Sequence, residues 1–108
     1  MYGHVKLERK RMSYTHRGMT LPDHIQESLD AYVVAGRPLG SFLGACVDNN
    51  LSKACAHADD NNLPILCVIV AYLYNETPSG CWGHRTAYSD WIVRKRRERE
   101  EAAVKAAL

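Results

Sequence analysis

Gly36-Arg37-Pro38-Leu39-Gly40-Ser41-Phe42-Leu43 decides how this chain reads. These eight residues hold a helix stop, a rigid turn and a helix start. Gly36 can take positive φ and end a helix, and Pro38, two residues on, cannot continue one. Gly40-Ser41 then opens the next helix, with Ser41 as a cap for its free N–H groups. Cys81-Trp82-Gly83 is a second glycine-flanked turn that closes the same unit.

N-terminal to the first corner, Ile25, Leu29, Tyr32 and Val33 recur at i, i+4, i+7 and i+8. That stripe predicts a helix over residues 21–35. Thr20 with Asp23, or Asp23 with Gln26, fits a capping box at its start. C-terminal to the corner, Leu43, Cys46, Val47, Leu51, Ala54 and Ala58 share one face, which predicts a helix over residues 41–58. Small residues at Gly40, Gly44 and Ala45 allow another backbone or a ligand to come close.

Asp59-Asp60-Asn61-Asn62 is a polar break, and Pro64 suits a first helical turn. Residues 65–74 then read as a third helix, apolar all round and expected to be almost wholly buried. Their β-branched content makes a strand the competing reading. Residues 75–85 form a loop on Pro78, Gly80 and Gly83, from which Trp82 is expected to plug the bundle. A last helix covers residues 86–108, apolar at Tyr88, Trp91 and Ile92 and charged from Arg94 onward. Arg94/Glu98 and Arg97/Glu101 are spaced as i, i+4 pairs.

The expected fold is therefore all-α: a small helical bundle of three core helices plus a longer charged C-terminal helix. Residues 1–18 form a basic N-terminal arm with an extended piece over residues 2–7. Residues 19–93 form the helical core domain, and residues 94–108 a charged helical extension. A chain of 108 residues holds one domain. With 46% hydrophobic and 24% charged residues it has the composition of a folded globule. The longest apolar run, ten residues, is about half of the roughly 20 that span a bilayer, so no membrane partner is expected. No apolar segment follows the basic start, so no secretory signal is expected. Cys46, Cys55, Cys67 and Cys81 read as free thiols, three of them among apolar helical neighbours and expected to be buried.

Net charge is +2, but residues 1–17 carry +4, residues 18–93 carry −5 and residues 94–108 carry +3. An acidic body with basic ends would meet a polyanion only at those ends. Lys6, Arg9, Lys10 and Arg11 with Tyr2 and Tyr14, and Arg94, Lys95, Arg96 and Arg97, are the candidates for DNA or RNA contact. Glu98, Glu100 and Glu101 interrupt the second group, and a solvated charged helix explains it as well.

Metal chemistry has little support. Cys55 and His57 lie about 200° apart on a helix, and neither they nor Cys81 and His84 form a recognised zinc spacing. Asp59 and Asp60 lack the glycine and glutamate of a calcium loop, and capping explains them. Cys81 and His84 are close in sequence, but no third residue orients them as a nucleophile and base. No cofactor and no catalytic residue is expected. The clearest ligand signal is the run Arg37 to Ser41, where free N–H groups, a helix dipole, a hydroxyl and a guanidinium all favour an anion. A purely structural corner is the alternative.

The corner 36–43, then Asn49-Asn50-Leu51, Ala58-Asp59, Asn62, residues 71–75, Pro78 and Cys81-Trp82-Gly83, together resemble a family of short tailed-phage and prophage proteins. The likeness covers roughly residues 21–91 and omits both basic ends. That family typically has Asn-Asp before the leucine, where this chain has Asn49-Asn50. The resemblance implies a viral accessory protein in the bacterial cytoplasm that occupies a host surface or sequesters a small molecule. The expected function is a non-enzymatic protein that binds a host or defence component and forms homo-oligomers. The expected contact residues are Arg37, Gly40, Ser41, Asn49, Asn50, Tyr72, Trp82 and His84. In the alternative, a nucleotide signal sits at the Arg37–Ser41 turn with Tyr72 or Trp82 stacked on its base.

Overall fold

The computed structural model describes residues 13–108. The segment expected over residues 2–7, and Lys6, Arg9, Lys10 and Arg11, lie outside the described residues. The protein is mostly helical. Its order is β1 (Thr15–His16), β2 (Met19–Thr20), α1 (Asp23–Ala35), α2 (Ser41–Val47), α3 (Leu51–His57), α4 (Leu66–Glu76) and α5 (Ala87–Ala107). Short 3-10 turns at Leu63–Ile65 and Ser79–Cys81 precede α4 and α5.

The antiparallel β1–β2 hairpin is absent from the sequence reading. It pairs Thr15 with Thr20 and His16 with Met19, and it straddles the division drawn at residue 18. Its two-residue loop, Arg17-Gly18, has φ of 53° and 79°. Two positive φ values give the turn whose twist matches that of the strands. The hairpin carries Tyr14 onto α4, where its ring meets Tyr72 edge-on at 5.2 Å.

Helix α1 begins without either expected capping box. Pro22 leads it and its carbonyl accepts from the N–H groups of Ile25 and Gln26, while Asp23 pairs with the Ser13 hydroxyl at 3.1 Å. The end of α1 is as expected. Gly36 takes φ 69°, its N–H donating to the Tyr32 carbonyl at 2.8 Å. Helix α5 then reaches three carbonyls of the last turn. The Trp91 indole N–H reaches those of Tyr32 and Val33, both at 3.1 Å, and the Arg99 guanidinium donates to that of Ala35. A cation at a helix C-terminus also complements the helix dipole.

The single helix expected over residues 41–58 is two helices. Asn49 sits at φ 55° and Asn50 starts α3 by accepting from the Lys53 N–H at 3.1 Å. Asp and Asn side chains compete for backbone hydrogen bonds, and here that competition breaks the helix. Gly40, not Ser41, occupies the cap position of α2, with no side-chain cap. Asp59 caps the following turn, accepting from the N–H groups of Asn61 and Asn62.

Residues 66–76 are helical, but the expected full burial of α4 is corrected. Val68, Ile69, Ala71, Tyr72 and Leu73 are buried, whereas Cys67, Val70 and Tyr74 are exposed. So small a domain has too few neighbouring elements to cover every side of one helix. The core instead joins that inner face to Leu21, Leu29, Tyr32, Val33, Val47, Cys81 and Trp91. Cys46 and Cys81 are buried, but Cys55 and Cys67 are exposed, which corrects the expectation of three inaccessible thiols.

Burial pushes the Cys46 thiol from its ordinary value of 9.0 up to about 12, and raises Cys81 and Tyr32 as well. Burial therefore favours the neutral form of each in the folded state. An unfolded chain ionises the Cys46 thiol near pH 9 while burial keeps it neutral in the native protein, so this contribution to stability is complete below that pH and is lost as pH rises toward 12. Chemical denaturation between pH 8 and pH 11, read by circular dichroism, is expected to show a falling midpoint. Cys46→Ala should flatten the slope, and an unchanged slope would sink the assignment.

Candidate functional site

The two glycine corners of the sequence meet in space, and Tyr88 joins them. Its hydroxyl accepts from the Leu39 N–H at 2.9 Å and donates to the Leu39 carbonyl at 3.1 Å. Its own N–H, in the first turn of α5, donates to the Asp48 carboxylate at 2.8 Å. The Gly83 N–H donates to the Val47 carbonyl at 2.8 Å. Beneath, the Tyr32 hydroxyl lies 2.9 Å from the Cys81 carbonyl and 3.3 Å from that of Ala87. The corner 36–40, the α2–α3 junction and the loop 82–86 are thereby held as one unit.

On the outer side of this unit lies an open cleft of about 660 Å³, lined by Asp48, Asn49, Asn50, Leu51, Ser52 and Arg85. Three pieces of chain build it. The break between α2 and α3 supplies Asp48 to Asn50, the first turn of α3 supplies Leu51 and Ser52, and the turn after Gly83 supplies Arg85. Asn50 is fixed on the wall: its side-chain oxygen accepts from the Lys53 N–H and the Ser52 hydroxyl. Arg85 is exposed and lines the cleft, and its guanidinium carries five N–H donors. In the same loop Trp82 packs half-buried against Tyr74, ring centroids 6.3 Å apart, at the edge of the core rather than plugging its centre. His84 stands 3.5 Å from Asp90 on the surface.

Of the expected contact residues, Asn49 and Asn50 share this cleft, and Trp82 and His84 belong to the loop that walls it. Arg37, Gly40 and Ser41 are exposed in the other corner. There α2 is only seven residues long and Tyr88 holds both backbone groups of Leu39. Tyr72 is 1% exposed and donates its hydroxyl to Asp30, so it has no ring face to offer a base. Arg85, Asp48 and Tyr88 were missed. An arginine two residues after a turn glycine was the available signal for Arg85, while Tyr88 read only as apolar surface.

The basic stretch of α5 divides by role. Arg94 lies over the Trp91 ring at 5.0 Å and pairs with Glu98 at 3.2 Å. Lys95 lies over the same ring at 5.1 Å, pairs with Glu98 at 3.1 Å and covers Gly36. Lys95 first, then Arg94, holds the Glu98 carboxyl below its ordinary range. Arg96 and Arg97 remain exposed on the projecting helix.

Cys81 lies in the core with its thiol 3.1 Å from the Pro78 carbonyl, whereas His84 faces Asp90. Among the described residues no three of His, Cys, Asp and Glu group as a metal site. No helix among them is long and apolar enough to cross a membrane. Compared with known proteins, the chain matches no described family, no curated protein and no solved structure.

Proposed function

We propose that this chain is a non-enzymatic accessory protein that acts by seating a partner protein in the cleft between Asn49, Asn50 and Arg85. One observation carries this reading: a polar cleft lined by an exposed arginine, with a tryptophan on its walling loop, built on a frame whose backbone groups are already paired. Arginine and tryptophan dominate the energetic centres of protein interfaces. A frame fixed before binding loses little entropy when it docks. The chemistry fits a partner turn that presents a carboxylate and carbonyls, the carboxylate to Arg85 and the carbonyls to the amide N–H₂ of Asn49. The resemblance to short tailed-phage proteins supports a host or defence component in the bacterial cytoplasm as that partner.

Affinity capture from a bacterial lysate, with wild type and Arg85→Glu side by side, tests the proposal. Arg85 is exposed, so the substitution should leave the melting temperature within about 2 °C, since surface changes cost under ~0.5 kcal/mol. The expected result is one protein retained by wild type and lost by the variant, with affinity reduced roughly 10- to 100-fold. Identical capture by both proteins would sink the cleft as the contact. A melting-point rise of several degrees with one nucleotide of a panel would replace it with the small-molecule reading.

A further inference from the structure

The outer face of α4 is a second surface, which adjoins the Arg85 cleft at Leu51, a residue that borders both. Cys67, Val70 and Tyr74 on α4, with Leu63 in the 3-10 turn before it, follow one another at intervals of three and four residues, with no charge among them. Leu63 is 52% exposed, Val70 36% and Tyr74 74%, and Cys67 is exposed as well. Beside them Leu51, 67% exposed, lines a shallow hollow together with Leu66 and Val70.

We propose that two copies of this chain pair through this face, their α4 helices antiparallel about a two-fold axis beside Val70. Alternating three- and four-residue spacing is the seam of a two-helix contact. The row is small at Cys67 and large at Tyr74. An antiparallel copy therefore sets each Cys67 against the partner copy's Tyr74, and Val70 against its own counterpart. A parallel copy would oppose tyrosine to tyrosine and leave a gap at cysteine. An uncharged row meets its own copy without like-charge repulsion, and antiparallel helix dipoles attract.

The area agrees with this occupant. The patch exposes on the order of 500 Å², near the upper limit for a surface that a monomer leaves open. Two such patches bury about 1,000 Å², the lower limit for a specific interface. A pair burying so little area is expected to be a weak, concentration-dependent dimer. Arg85 is not a member of the row, although Leu51 borders both the row and the cleft.

Sedimentation velocity over a concentration series in reducing buffer tests the pairing. Wild type should rise from its monomer mass of 12.2 kDa toward twice that value. Val70→Glu and Tyr74→Glu should each weaken association at least tenfold with helical circular dichroism retained. Val70→Cys, in a background carrying Cys55→Ser and Cys67→Ser, should cross-link to a symmetric dimer with a mild added oxidant. Wild type that stays monomeric throughout, or Val70→Glu that associates as wild type does, would overturn the pairing. So would a Val70→Cys protein that does not cross-link at concentrations where wild type is dimeric. Arg85→Glu leaves the seam intact, so failure of the cleft and failure of the dimer are separate results.

Discussion

Trp91→Ala is expected to lower stability by about 4 kcal/mol, because it empties the largest side chain at the α1–α5 crossing. Trp91 is 5% exposed, its indole N–H closes two carbonyls at the end of α1, and its ring carries Arg94 and Lys95. A loss of that size lowers the melting temperature of a domain this small by roughly 15–25 °C. Trp91→Phe separates the contributions. It keeps most of the apolar area but removes the donor, for an expected loss of about 1–2 kcal/mol. Thermal melts of both variants decide between packing and hydrogen bonding as the main term. Equal losses would mean that the indole N–H, not the filled volume, holds the crossing.

Gly36→Ala should cost about 2–3 kcal/mol for two reasons that act together. At φ 69° any side chain is strained by about 1–3 kcal/mol. A Cβ built there also comes within 2.7 Å of the Cβ of Lys95, which is fixed to the α5 backbone and cannot swing aside. Gly36→Asn tells the two apart. Asparagine tolerates this backbone region better than alanine, yet its Cβ meets the same obstacle. Both variants are expected to melt well below wild type. A near-neutral asparagine would mean that backbone strain alone matters and that α5 can move away from α1.

Most helix ends were legible in the sequence. Gly36 and Pro38 stop α1, Asp59 caps a turn through its own side chain, and Pro64 opens the stretch that leads into α4. Each effect is local: a fixed φ, a missing N–H, a carboxylate within reach of the next residues. The hairpin at 15–20 escaped because two residues per strand carry no period, and its signal is confined to Arg17-Gly18. The split at 48–50 escaped for another reason. The apolar spacing of Leu43, Cys46 and Val47 runs on through Leu51 and Ala54, and periodicity does not register a break that falls between turns.

The candidate site was only partly legible. Asn49, Asn50, Trp82 and His84 stand around one region, but the residues that make it a region are Asp48 and Tyr88, forty positions apart. The alternative anion corner shows the converse. Arg37 to Ser41 has the composition of an anion site, yet both backbone groups of Leu39 are held by Tyr88 and the helix that follows is only seven residues long.

The sequence alone therefore determined that the chain is mostly helical, where several of its helices stop, and that its basic excess lies at the two ends of an acidic body, because these depend on neighbours along the chain. Only the tertiary structure decided which side of α4 is covered, which cations of α5 are committed to Trp91 and Ala35, and that Arg85 opens a cleft beside Asn50. Burial and hydrogen-bond partnership are set by whichever distant segment arrives, and a one-dimensional pattern records the tendency to be covered without recording what does the covering.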